Sequence, residues 1–479
     1  MDGELHPTPT PPLRWEGSWT ESCTPPLPLP LDGRGVVGIS FKNLMRRLDK
    51  QILNIALPSI ISNITVPLLG MVDVAIVGHL GSATYIGAIS VGSMIFNVTY
   101  WLFGFLRMGT SGLTSQALGR RDLGEVMVMF LRSTLIGLSI ALLLVLLQYP
   151  LREFALWLVA PTAEVGKLTR TYFNICIWGA PATLTLYCLS GWYIGMQNTR
   201  IPMLVSIFQN VVNIVASLFF VFVLGMKVEG VALGTVIAQY SGILLSLLLW
   251  WVHYRRLRRH GHRSELLNTI QLKRFFRLNT DIFFRTLCLV AVMLFFTSAG
   301  ARQGDIILAV NTLLMQFYLL FSYFMDGFAF AGEAICGKHF GSGNRSAYRI
   351  TVKRVFVWAL GCSLLFTLLY TFGGPAYVRL LTDEGEVIAA SRPFLPWVIA
   401  LPLMGFVAFI WDGIFIGSTA SRQMLVSSFI ASCLFFALFF CFRRMLGNHG
   451  LWLAYTCYLF SRGLVQTYQY HHGLKDLRS

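Results

Sequence analysis

The sequence predicts an all-α polytopic membrane protein with twelve transmembrane helices in two six-helix halves. Three observations carry that prediction. The chain of 479 residues is 55% hydrophobic and only 13% charged, whereas soluble domains carry about 25% charge. Apolar runs long enough to cross a hydrocarbon core of about 30 Å recur twelve times. The second half of the chain repeats landmarks of the first at a nearly constant offset.

The first 36 residues hold eight of the 18 prolines and no sustained apolar run. Residues 1–45 are therefore expected to form a Pro-rich disordered tail without a signal-peptide core, and a start further downstream, for instance at Met45, stays open. Apolar runs then fall near residues 51–77, 85–108, 127–148, 170–193, 203–224 and 230–252, and again near 281–299, 306–332, 353–372, 394–416, 424–441 and 450–470. The corresponding organisation is an N-lobe over 46–252, a basic linker over 253–279, a C-lobe over 280–472 and a short tail over 473–479.

Charge sets the orientation. The connections on one side carry 25 Lys and Arg residues, eight of them between Arg255 and Arg277, against nine on the other side. The positive-inside rule places the 25-residue side, and with it both termini, in the cytoplasm. The net charge of +16 thus belongs to solvated inner loops, with anionic-lipid contact as a minor role, and nucleic acid is not expected as a partner.

A shift of 222 residues places Gly119, Gly191, Gly195 and Arg200 on Gly341, Gly413, Gly417 and Arg422, and a shift of 220 places Gly230 on Gly450. Six helices per half bring both halves into the membrane from the same side. The repeats are therefore parallel and related by an axis along the membrane normal, with the pathway between them.

Nine scattered cysteines, never as CxxC, fit neither a disulfide framework nor a thiolate zinc site. No HExxH or DDxxD element appears, so no metal, cofactor or enzymatic activity is expected. Ionisable groups inside apolar spans are costly and invite a functional reading. They are Asp73, Arg107, Arg132, Arg285, Asp326, Glu333, Asp412 and Arg462. Asp73 follows Pro58, Pro67 and Gly70 on the first helix, either as an interior carboxylate able to take a proton or as an interfacial end of that helix. Asn210, Asn213 and Ser217 share one face of the fifth helix, suited to hydrogen-bond a neighbouring carboxylate or simply to join helices. Asp326 and Glu333, seven residues apart, share a face of the eighth helix, with Arg285 as the expected counter-ion. Asp412 corresponds to Ser190 under the offset, so its charge exists in one half only. Arg132 and Arg462 are read as snorkelling. Methionines 94, 108, 293, 315, 325 and 404 suit either an adaptable cleft or lipid-facing packing.

The run from Val72 to Gly81, then Gly87-Ala-Ile-Ser and the stretch from Tyr100 to Gln116, resembles the multidrug and toxic compound extrusion (MATE) transporters, specifically their DinF-like branch. The segment from Phe321 to Gly341 is similar as well, and the resemblance spans about residues 46–470. It implies a V-shaped, twelve-helix antiporter of the bacterial cytoplasmic membrane that exports amphipathic, often cationic, compounds by alternating access of its lobes. Asp73 matches the helix-1 carboxylate implicated in cation coupling and Asn213 a helix-5 asparagine. Where some members carry an aspartate four residues further on, this chain has Ser217, which favours H⁺ as the coupling ion over Na⁺. Asp412 matches a C-lobe aspartate of another branch, whose helix-7 glutamate has no counterpart here. The alternatives are Na⁺-coupled export and a flippase for lipid-linked intermediates. The expected partners are small amphipathic substrates and membrane lipids, for a monomeric protein.

Overall fold

A computed structural model describes residues 41–78, 82–261, 265–266 and 268–472. Residues 41–45, expected within the disordered tail, belong to the first helix; the rest of the expected tails and part of the linker lie outside the described residues, as do some side chains near the end of that helix. The described residues form sixteen α-helices. In the first half these are α1 (Phe41–Gly78), α2 (Ala83–Leu102), α3 (Phe105–Gly119), α4 (Leu123–Leu146), α5 (Gln148–Val159), α6 (Ala163–Cys176), α7 (Ala180–Gly195), α8 (Arg200–Leu218) and α9 (Val228–Tyr254). In the second half they are α10 (Thr269–Ala301), α11 (Asp305–Gly341), α12 (Arg345–Leu381), α13 (Gly385–Ser391), α14 (Leu395–Gly417), α15 (Ser421–Leu446) and α16 (Asn448–His472).

Because α2–α3, α6–α7 and α13–α14 are each one interrupted rod and α5, at 12 residues, is too short to cross, the described helices make twelve crossings, six per half. Ten crossings are long and apolar enough by themselves. Of the other two, α1 has side chains outside the described residues, and α16 is more polar, with Asn448, Thr456, Arg462 and Gln466 buried inside the protein. The fourth crossing of each half is broken by one 3₁₀ turn, at Ile177–Gly179 and at Arg392–Phe394. The second crossing is broken at Gly104 in the N-lobe but runs unbroken through Asp326 in the C-lobe.

Three features differ from the expectations of the sequence. The helices extend well into the segment 253–279, since a 3₁₀ turn continues α9 to His260 and α10 begins at Thr269. Arg132 does not snorkel: it is buried and donates from Nη2 to the Glu265 carbonyl at 2.6 Å and from Nε to the Leu266 carbonyl at 3.2 Å, clamping the connection between lobes onto α4. The third is α5, which hydropathy alone does not reveal. It exposes Tyr149, Phe154, Trp157 and Leu158 beside the Arg152–Glu153–Arg170 ion pairs, the mixture that suits a membrane interface.

The halves are related by the 222-residue offset down to backbone detail. α7 and α14 end in the same Schellman-type cap, in which Asn198 N–H donates to the Tyr193 carbonyl and Ala420 N–H to that of Phe415. Both caps pass through a non-glycine residue in the left-handed region, Gln197 at φ 63° and Thr419 at φ 56°.

Each lobe also lends the inner part of its first helix to the other. Leu48, Ile52, Ile55, Ala56 and Ile60 of α1 pack into the C-lobe core. Phe275, Leu278 and Ile282 of α10 pack with Leu113 and Met129 of the N-lobe.

Candidate functional site: a charged cavity between the lobes

The lobes separate around a cavity of about 880 Å³, within the range of small-molecule sites. Helical periodicity decides which side chains line it. From α11 come Tyr318, Ser322, Asp326, Ala329 and Glu333, at steps of three or four residues. Phe409, Asp412, Gly413 and Ile416 of α14 and Tyr455, Tyr458 and Arg462 of α16 follow the same rule. Arg285 of α10 and Arg107 of α3 complete the charged set, and Gln209, Asn213, Thr235 and Gln239 of α8 and α9 supply a neutral polar wall.

The cavity thus gathers Arg107, Asn213, Arg285, Asp326, Glu333 and Asp412, but it pairs them differently from the expectation. Arg285 does not pair with Asp326 or Glu333. Its Nη2 donates to Asp412, because α10 packs on α15 and α16 and presents Arg285 across to α14. Arg462, expected to snorkel, is buried and donates to the same Asp412 oxygen at 3.3 Å, and Gln466 donates to the other at 2.6 Å. Tyr458, Arg462 and Gln466 stand at four-residue steps on α16 and form one polar stripe against Asp412. That spacing, inside a span otherwise apolar enough to hide it, is the signal by which Gln466 and Tyr458 were detectable in the sequence.

Glu333 pairs instead with Arg107 from the opposite lobe, at 3.6 Å, and the Arg107 guanidinium stacks 4.2 Å above the Phe330 ring. Asp326 is half-buried and makes no ion pair among the described residues, though it lies in the field of Arg107, Arg285 and Arg462. Under the repeat offset, Asp326, Glu333 and Asp412 correspond to Gly104, Ser111 and Ser190. The charges are therefore additions to the shared scaffold.

The helix-5 stripe divides between two neighbours. Asn210 donates to the Thr65 carbonyl of α1 at 3.1 Å, whereas Asn213 turns to Thr235 of α9 at 3.1 Å. Ser217 is buried against Gly234 of α9. Asn210 and Asn213 thus join α8 to α1 on one side and to α9 on the other. Asp73 stands in the backbone of α1, and its side chain lies outside the described residues. Of the methionines, Met108 and Met293 line the cavity, Met94 and Met293 line an apolar cleft between α2 and α10, and Met315 and Met325 are core. Met404 faces outward.

At the basic end the cavity is closed by contacts between lobes. Gln116, buried at the end of α3, donates to the Gly417 carbonyl at 2.9 Å and to Thr419 Oγ1 at 3.1 Å, and accepts from Arg274 at 3.0 Å. Its counterpart under the offset, Lys338, reaches Gln197, the counterpart of Thr419, at 3.5 Å. Gln197 also donates to the Ala334 carbonyl at 3.3 Å. Gly119 and Gly341 allow the α3 and α11 backbones to touch. A Cβ on either would collide with the carbonyl of Lys338 or Gln116, respectively. At the rim, Arg354 and Trp358 of α12 donate to Asp49 of α1.

Two parallel six-helix lobes around an interfacial cavity, with buried charge inside, define a polytopic membrane transporter. The MatE family model matches residues 58–219 and 282–442, one stretch in each lobe. The chain is 36% identical over 446 residues to the DNA damage-inducible protein F of Escherichia coli K12, covering 89% of this chain and 95% of that protein. It is 25% identical to mouse multidrug and toxin extrusion protein 2 over 85% of this chain and 71% of that one. Among solved structures, a MATE protein in its bent conformation superposes with a TM-score of 0.80 at 19% identity, over 90% of this chain and 96% of the other. An outward-facing multidrug resistance MATE transporter superposes at 0.78, also at 19% identity, over 90% and 97%. The chain belongs to the MatE family of multidrug and toxin extrusion transporters, and is a transporter and not an enzyme.

Proposed function

We propose that this protein is a secondary antiporter that exports amphipathic, cationic organic compounds in exchange for protons, with the cavity opening alternately to the two sides. The observation that carries this reading is Asp326. It is a carboxylate on the cavity wall with no ion pair among the described residues, set beside Tyr318, Tyr323 and Phe330, so that acid and ring faces together suit an organic cation. Protons fit better than sodium as the coupling ion. Glu333 and Asp412 already face guanidiniums, which repel a metal cation, and sodium needs several hard oxygen ligands where a proton needs one carboxylate. Three arginines against three acids leave the cavity without the cationic excess that a flippase for lipid-linked intermediates favours.

In this reading Asp73 is the coupling carboxylate, with Asn210, Asn213 and Ser217 holding the adjacent helices, and the protein works as a monomer in a bacterial cytoplasmic membrane with both termini inside. Proteoliposome efflux driven by a pH gradient tests it. Flux should collapse with a protonophore, persist without sodium, and vanish in Asp73→Asn at unchanged expression. Sodium-driven flux at equal pH, or wild-type flux in that variant, overturns it.

A further inference from the structure

The charges in the cavity are balanced in number but not in place. Asp326 is an acid without a bonded base, whereas Asp412 is an acid with two. Asp412 Oδ2 accepts from both Arg285 and Arg462, and Oδ1 accepts from Gln466, so Asp412 uses three of its roughly four lone-pair sites while most donors of the two guanidiniums go unused by it. They present ten N–H donors between them. Beyond Asp412, the acceptor given to them is Tyr458 Oη, 3.4 Å from Arg462 Nη1. The Nε of each has no hydrogen-bond partner among the described residues, although Arg285 is 5% and Arg462 3% exposed. Guanidiniums stay charged at any working pH, and unsatisfied buried donors of this kind are costly unless something fills them. Both residues line the cavity. What this corner lacks is one further anionic oxygen pair, the group that a guanidinium fork takes with two parallel hydrogen bonds. No equivalent exists in the N-lobe, where Ser190 and Gly242 stand at the offset positions of Asp412 and Arg462.

We propose that Arg285 and Arg462 form a subsite for the carboxylate of a zwitterionic amphiphile whose cationic part lies toward Asp326. This rests on the reading of the cavity as the substrate site and deepens it. The preferred substrates are amphiphiles that carry an acid as well as a cation. Tyr318, Tyr455, Tyr458 and Phe409 supply the apolar walls between the two poles.

Rhodamine B, a xanthylium cation with a free carboxylate, and its ethyl ester, the cation alone, make a matched pair of probes. Fluorescence polarisation with the full chain in nanodiscs, corrected with empty discs, should show rhodamine B bound at least tenfold more tightly than the ester. Arg285→Gln and Arg462→Gln should each remove that preference while ester binding stays within about threefold, which also reports a folded protein. Asp326→Asn breaks no ion pair among the described residues; it should weaken the ester and widen the preference. Equal or tighter binding of the ester by the wild type, a preference that survives both arginine substitutions, or one that narrows in Asp326→Asn overturns the subsite. In proteoliposomes, equal pH-driven efflux of both dyes refutes the subsite and leaves the export reading standing. A binding preference without flux of either dye does the reverse.

Discussion

Removing the Gln116 side chain beyond Cβ should unlock the basic end of the cavity. In the closed arrangement this one amide makes three hydrogen bonds across the lobe interface, to Gly417, Thr419 and Arg274. When the lobes part, water replaces these partners, so each bond contributes its net value of about 0.5–1.5 kcal/mol. Gln116→Ala should therefore shift the closed–open equilibrium by roughly 1.5–4.5 kcal/mol, or about 12- to 1,600-fold at about 1.4 kcal/mol per decade. A reporter is available in Ser115, fully buried against Gly337 between the lobes. With Ser115→Cys in an otherwise cysteine-free background, labelling by a membrane-impermeant maleimide from the basic side measures the open population. Adding Gln116→Ala should accelerate labelling by at least about tenfold or drive it to saturation. A rate within about threefold of the parent refutes the assignment of Gln116 as the principal latch.

Two further outcomes follow from packing and charge. A Cβ at Gly413 would strike the Ala329 carbonyl, a backbone atom that cannot swing aside, so Gly413→Ala should destabilise by about 1–3 kcal/mol and lower the thermal midpoint in detergent. Gly361→Ala, where nothing lies within 4 Å, should leave it unchanged or raise it. Hydrogen bonds from Arg170 and then Arg152 hold the Glu153 carboxyl below its ordinary range. A depressed folded-state pKa means that these pairs support the fold at neutral pH and cease to do so as the pH falls through that lowered value. Arg170→Gln should bring the Glu153 midpoint back toward about 4.3 in a ¹³C-carboxyl titration, and an unmoved midpoint counts against the pairing.

Much of this molecule is written in its local sequence. Hydrophobic run length and loop charge are properties of neighbours along the chain, and the bilayer accepts only helices that satisfy their own backbone. Twelve crossings and a two-lobe repeat could therefore be read without coordinates. The residues from Val72 to Gln116 led to the family on the same basis. Periodicity also placed Asp326 and Glu333 on one face of α11, since a seven-residue step is two helical turns.

Which charge meets which was decided only in three dimensions. Arg285 is equally close in sequence logic to Asp326, Glu333 and Asp412, and the way α10, α14 and α16 pack gave it to Asp412 and left Glu333 to Arg107 of the other lobe. Arg462 and Arg132 read as surface-seeking because a single helix shows no partner, yet α14 and the inter-lobe connection supply partners that make burial favourable. The exchange of the inner parts of α1 and α10 between lobes, and the latch from Gln116 to Thr419, join residues hundreds of positions apart across a pseudo-twofold axis. A glycine repeated every 222 residues announces that such an axis exists. Only the approach of the two backbones determines which side chains meet across it.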